Sequence, residues 1–203
     1  MDIYIIIGIL LLIFVIYNIV YMYSENSYVV SDVDGKSYLI RRGVGKGDKF
    51  LKDSANTLAL INKNILTLIT YLDQEYADDN GKNYFIKKLK QDYNPYIISE
   101  AAVDSRYTTY TIDKKDMHIC LRTRDKEENI YDINTLMYVV LHELSHLCNY
   151  DKYGVPIQGH GREFKTIFRF LVEESIKLGI YRHVDYTINP QEYCGIMIST
   201  SIL

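Results

Sequence analysis

The fold turns on residues 132–150, DINTLMYVVLHELSHLCNY. Leu136, Val139, Val140, Leu144 and Leu147 recur at helical spacing and form one apolar face. Asp132 or Asn134 can cap the amino end with a side-chain oxygen. The helix carries His142-Glu143-Leu144-Ser145-His146. A separation of four sets both imidazoles on one face, one turn apart, where both reach a single cation. Glu143 is turned about 100° around the axis from His142, so it flanks that cation instead of ligating it. A general base for water activation needs this place.

A catalytic zinc site of this kind takes three protein ligands and keeps a fourth position open. His160, in QGHGREF (158–164), is the candidate third ligand, with Glu163 as its rival. It follows a polar loop holding Gly154 and Pro156, which can reverse the chain. It also opens another amphipathic helix, with Phe164, Ile167, Phe168, Leu171 and Val172 facing inward and Gly179 as the stop. The expected site is one Zn²⁺ per chain held by His142, His146 and His160, with Glu143 as the catalytic base.

Outward from that core, Arg106–Ile112 (RYTTYTI) and Met117–Arg122 (MHICLR) read as paired strands around Asp113-Lys114-Lys115-Asp116. An edge there can pair with an extended substrate. His118 alternates with Ile119 and Leu121 and reads as a packed or surface histidine, not a ligand. Earlier still, an amphipathic helix is predicted from Asp48 to about Tyr76, and a more basic one from Lys82 to Asp92, stopped by Asn94-Pro95. Tyr28–Val30 and Tyr38–Ile40 frame an Asp34-Gly35 hairpin turn. Gly43, Gly45 and Gly47 lack the Gly-Lys-Ser/Thr of a phosphate loop and read as a turn before a helix.

From Ile3 to Tyr23 the chain is uncharged, and 21 residues at 1.5 Å each span the ~30 Å hydrocarbon core. Tyr4, Tyr17, Tyr21 and Tyr23 lie towards its ends as interfacial anchors do. There is no basic start and no A-x-A site, so a retained anchor is expected rather than a cleaved signal. Lys36, Arg41 and Arg42 follow the segment and no Lys or Arg precedes it. The positive-inside rule then faces the large domain to the cytoplasm. The division is 1–23 transmembrane anchor in the bilayer, 24–47 hairpin and linker, and 48–203 the metal-binding domain. The class is α+β.

Composition narrows the partners. The 203 residues suit one domain, and a formal charge of −3 offers no basic surplus for a nucleic-acid backbone. Cys120, Cys148 and Cys194 are odd in number with no CxxC, which argues against a disulfide scaffold or a Cys-built zinc ribbon. They read as free thiols of a reducing compartment, Cys120 and Cys194 as small buried residues.

HELSH, thirteen residues, then HGREF resembles the SprT-like and WLM metallopeptidases. MHICLR and the run LGIYRHVDYTINPQEYCGI look like the membrane-anchored members encoded by large DNA viruses. The resemblance covers roughly residues 106–198. It implies a zincin-like zinc endopeptidase: a small mixed sheet beside an active-site helix with flanking helices, acting on a protein or peptide substrate. It also implies a virion or host membrane as the location, and carries His142, His146 and His160 over as zinc ligands and Glu143 as acid/base. SprT-like DNA-repair proteases commonly carry a C-terminal zinc ribbon or DNA-binding extension, which residues up to Leu203 do not supply, and cleavage of DNA–protein crosslinks is not expected. Candidates for stabilising an oxyanion are Tyr193, Tyr186, Arg182 and His183. Asp185 or Asp151 can orient a ligand imidazole. The competing expectation is a non-catalytic membrane protein that keeps zinc for structure or for holding a partner.

Overall fold

The computed structural model describes residues 3–43, 45–102, 108–112, 116–151 and 153–203. It is a mixed α+β chain with one apolar amino-terminal helix, α1 (Ile3–Glu25). Over Ile3–Val20 the mean hydropathy is 2.9 and no part of this window is buried, so α1 is long and apolar enough to cross a membrane. Its one amide side chain, Asn18, is satisfied within the helix by donating to the Phe14 carbonyl at 2.7 Å.

Strands β1 (Asn26–Val30) and β2 (Ser37–Arg41) form the expected antiparallel hairpin. It packs on α2 (Asp48–Glu75), whose Leu58, Ile61, Ile65, Leu68 and Leu72 are fully buried. Burial at this helical repeat makes α2 the spine of the core. Helix α3 (Asn83–Asp92) packs on α2 through Ile86 and Leu89 and ends just before Asn94-Pro95.

A three-stranded mixed sheet follows, in the order β3-β5-β4. β3 (Ile98–Glu100) runs parallel to β5 (Asp116–Ile119), and β4 (Tyr110–Ile112) runs antiparallel to it. The two strands expected over 106–122 are therefore β4 and β5. The predicted turn at 113–115 and the first residues of the longer strand, 106 and 107, lie outside the described residues. Arg122 is fully buried, and its guanidinium donates to Glu100 and to the Arg41 carbonyl. Arg41 in turn donates its backbone N–H to Glu100 and pairs with Glu128. Hairpin, sheet and the 122–130 loop are thus tied by one buried charge network, whose partners must stay together once desolvated.

Helix α4 (Ile133–Leu147) starts where Asp132 accepts from the Asn134 N–H at 2.9 Å. Leu136, Val140, Leu144 and Leu147 are buried as the periodicity requires, while Val139 is only partly so. Helix α5 (Arg162–Lys177) packs against α4 through Phe164, Ile167, Phe168, Leu171 and Val172, and the chain leaves the helical path at Gly179. A carboxy-terminal hairpin, β6 (Gln191–Tyr193) and β7 (Ile196–Ile198), closes the domain.

The expectation of three free thiols is corrected here. Cys120 and Cys194 are buried, as read, but joined in a disulfide, and Cys148 is the buried free cysteine. The bond fastens the β6–β7 hairpin to the end of β5.

Candidate metal centre

Three elements bring the histidines together. α4 presents His142 and His146 from successive turns. The loop between α4 and α5 then doubles back: Asp151 and Val155 pair through their backbones, Tyr150 bridges Pro156, and Ile157 donates to the Asn149 carbonyl. Gly154 and Gly159 take φ of +78° and +77°, a region that favours glycine and lets the chain turn at both places. His160 follows at once, just ahead of α5, whose N-cap is Gly161.

The His160 Nε2 atom lies 3.0 Å from Nε2 of His142 and 3.0 Å from Nε2 of His146. One ligand atom from each residue falls within 4.8 Å of the others. Zn–N bonds of about 2.0–2.1 Å at tetrahedral angles put ligating nitrogens about 3.3 Å apart, so the donor set fits a zinc ion. A single shared N–H satisfies only one pair of such nitrogens, whereas a cation accepts all three lone pairs. Burial and the neighbouring imidazoles push His142 down to about 3, which keeps its lone pair available at neutral pH. The Phe164 ring lies under the cluster, its centroid 4.9 Å from His142, 4.3 Å from His146 and 4.7 Å from His160. Glu163, the rival third ligand, is exposed and outside this group.

Glu143 accepts a hydrogen bond from the Thr111 hydroxyl of β4 at 3.2 Å. Burial raises its carboxyl to about 7, against a smaller opposing effect of that hydrogen bond. It stands between two recesses that share it and His142. One, of about 480 Å³, runs along Thr109 and the β4 residues Tyr110 and Thr111 to His146, Gln158 and His160. The other, of about 250 Å³, lies under the β6–β7 hairpin. β4 is the last strand of the described sheet, and its Tyr110 and Thr111 line the larger recess.

The chain is 38% identical over 208 residues to "Uncharacterized protein R325" of Acanthamoeba polyphaga mimivirus, covering 100% of both chains. It belongs to the R325 family. Shorter stretches match two further viral proteins. "Uncharacterized protein 042R" of Invertebrate iridescent virus 3 is 43% identical over 74 residues, 36% of this chain and 42% of the relative. "Uncharacterized protein 136R" of Invertebrate iridescent virus 6 is 32% identical over 90 residues, 43% of this chain and 47% of the relative. No family model and no solved structure matches the chain.

In this R325 relative Tyr193, Tyr186, Asp185 and Asp151 make contacts within the fold. The Tyr193 hydroxyl donates to the Cys120 carbonyl at 2.8 Å and also bonds the Thr109 hydroxyl, so its proton is committed. Tyr186 is buried against Tyr138, 4.7 Å between centroids. The Arg182 backbone exchanges two hydrogen bonds with the Asn134 amide at the start of α4. His183 is exposed and is not one of the clustered histidines. Asp185 binds the hydroxyl and N–H of Thr187, and Asp151 caps its own turn at Tyr153 and Val155. His118, as expected, is packed: it stacks on Tyr110 at 4.9 Å, with Nδ1 2.9 Å from the Ser99 hydroxyl. Two contributors were not read from sequence. Thr111 carries only the weak signal of strand alternation. The role of Phe164 was implicit in HGREF, where one turn separates it from His160.

Proposed function

We propose that the chain is a membrane-anchored, zinc-dependent endopeptidase of zincin-like fold, akin to the WLM and SprT-like metallopeptidases, with α1 as the anchor. The observation that carries this reading is the convergence of three imidazole nitrogens beside Glu143, at the floor of a cleft flanked by an edge strand. His142, His146 and His160 would hold the zinc. The ion supplies Lewis acidity for a peptide carbonyl and makes water more acidic.

The chain's own groups do the rest. Glu143 takes a proton from the attacking water and returns it to the departing amine, and the Thr111 hydroxyl holds the carboxylate in line. β4 ends the described sheet and runs along the larger recess, where an extended peptide added beside it would be oriented across His142 and Glu143 by main-chain bonds. Phe164 keeps the imidazoles fixed in orientation and free of bulk water on their inner side. The histidine cluster has three members among the described residues. A fourth ligating side chain is what the non-catalytic, zinc-stabilised alternative requires.

The test is peptide hydrolysis by the full-length protein in detergent, wild type beside Glu143→Gln. The variant is expected to keep its zinc and lose about a hundredfold or more in turnover. Equal turnover by the two proteins refutes the mechanism.

A further inference from the structure

The smaller recess beside Glu143 is built unlike the larger one. Its lining is largely apolar, with Val139 from α4, Phe168 from α5, and Ile196 and Ile198 from β7, beside the uncharged hydroxyls of Thr108, Ser199 and Thr200 and the shared His142 and Glu143. Val139 lies three residues before His142 and four before Glu143, so it sits one helical turn away on their side of α4. In the β6–β7 ribbon Tyr193 pairs with Ile196 and Gln191 with Ile198, which places these four on one face. Tyr193 is buried on that face, and the Gln191 side chain is bonded to Thr135 of α4. The ribbon therefore lays its isoleucines against the helix. Ile196 lines the recess yet is 52% exposed, an apolar side chain left open to solvent there.

Size and charge limit what can enter. At about 250 Å³ the recess is below the usual 300–1,000 Å³ of a cofactor or drug-sized ligand site, and suits one amino-acid side chain. Apart from Glu143 and His142 none of its lining residues ionises at neutral pH below the tyrosine range, and Glu143 repels an anionic guest. The ribbon is held in place independently of any ligand. The Cys120–Cys194 bond and the Tyr193 hydrogen bond to the Cys120 carbonyl both anchor it to the end of β5.

We propose that this recess is the specificity pocket of the enzyme and that it receives an uncharged aliphatic side chain from a residue flanking the scissile bond. This deepens the endopeptidase reading and rests on it. His142 and Glu143 line both recesses, so a peptide that lies along β4 in the larger one and enters the smaller passes these two residues, and the residue that enters adjoins the bond being cut. Val139 and Ile196 set the depth and the mouth.

The test uses the zinc-loaded full-length protein in detergent and three hydroxamates that differ only in the side chain next to the chelating group: none, isobutyl or carboxymethyl. Binding is read by titration calorimetry, so turnover is not required. The isobutyl compound is expected to bind about tenfold or more tighter than the other two. Val139→Phe, which fills the recess, is expected to remove that advantage while the side-chain-free compound binds as before. Ile196→Lys, at an exposed position that the fold tolerates, is expected to shift preference towards carboxymethyl. Equal binding of all three compounds by the wild type overturns the pocket assignment and leaves the metal site standing. Failure of even the side-chain-free compound to bind overturns the zinc reading, and the pocket with it.

Discussion

Replacing Cys120 and Cys194 together by serine removes the one covalent link between the carboxy-terminal ribbon and the sheet. The bond closes a loop of sequence separation 74 that contains α4, the returning loop and α5, and hence the three clustered histidines and Glu143. Loop-closure entropy for such a span is worth about 4.4 kcal/mol at 25 °C, from −2.1 − 1.5R ln n with n near 74. A domain of about 180 residues unfolds with an entropy near 0.38 kcal/mol/K, so the midpoint should fall by about 12 °C. The assay is thermal unfolding of the full chain in detergent, followed by circular dichroism, with wild type, the double variant and dithiothreitol-treated wild type side by side. A thiol titration in denaturant without reductant accompanies it. One reactive thiol, Cys148, is expected in the wild type. Three reactive thiols, or a midpoint moved by less than about 2 °C, refute the reasoning.

Other outcomes follow from the same contacts. Phe164→Ala removes the ring that touches all three imidazoles; it should cost about 3–5 kcal/mol of stability and weaken zinc binding about 10–100-fold, measured by chelator competition. Burial holds His118 below its ordinary value of 6.5, so the fold favours the neutral ring. Its contribution is therefore complete above pH 6.5 and declines as pH falls through that value, and the stability gap between wild type and His118→Gln should narrow from pH 7.5 to 5.5 in urea titrations. Two features oppose each other on membrane side: the basic residues after α1 favour the cytoplasm, and the disulfide favours an oxidising compartment. Protease protection of the expressed full chain in sealed vesicles decides between them, with digestion of the intact vesicles expected if the positive-inside rule governs.

Much of the site was legible because its signals are local. The HELSH spacing needs only a helix, and α4 declares itself by a 3.6-residue apolar repeat that tertiary contacts then reinforce. His160 could be placed because glycines flank it and a second amphipathic helix begins directly after. What was missed depends on distant partners. β3 is three residues long and ends in the charged Glu100, which is buried only because Arg122 comes to meet it. The β6–β7 turn uses Cys194 and Gly195, both at positive φ, where Asn-Gly would have announced a tight hairpin. The disulfide spans 74 positions and leaves one cysteine over, so counting alone pointed the other way. Val139 fits the apolar stripe of α4 as well as its neighbours do, and only the ribbon packed nearby shows that it lines a recess.

The central claim is that three imidazoles hold one zinc. The measurement that tests it most directly is zinc per chain in purified full-length protein, wild type beside His160→Ala. About one zinc in the wild type and a loss of most of it in the variant is the predicted result. A folded wild type without zinc, or a variant that retains its full complement, would contradict it.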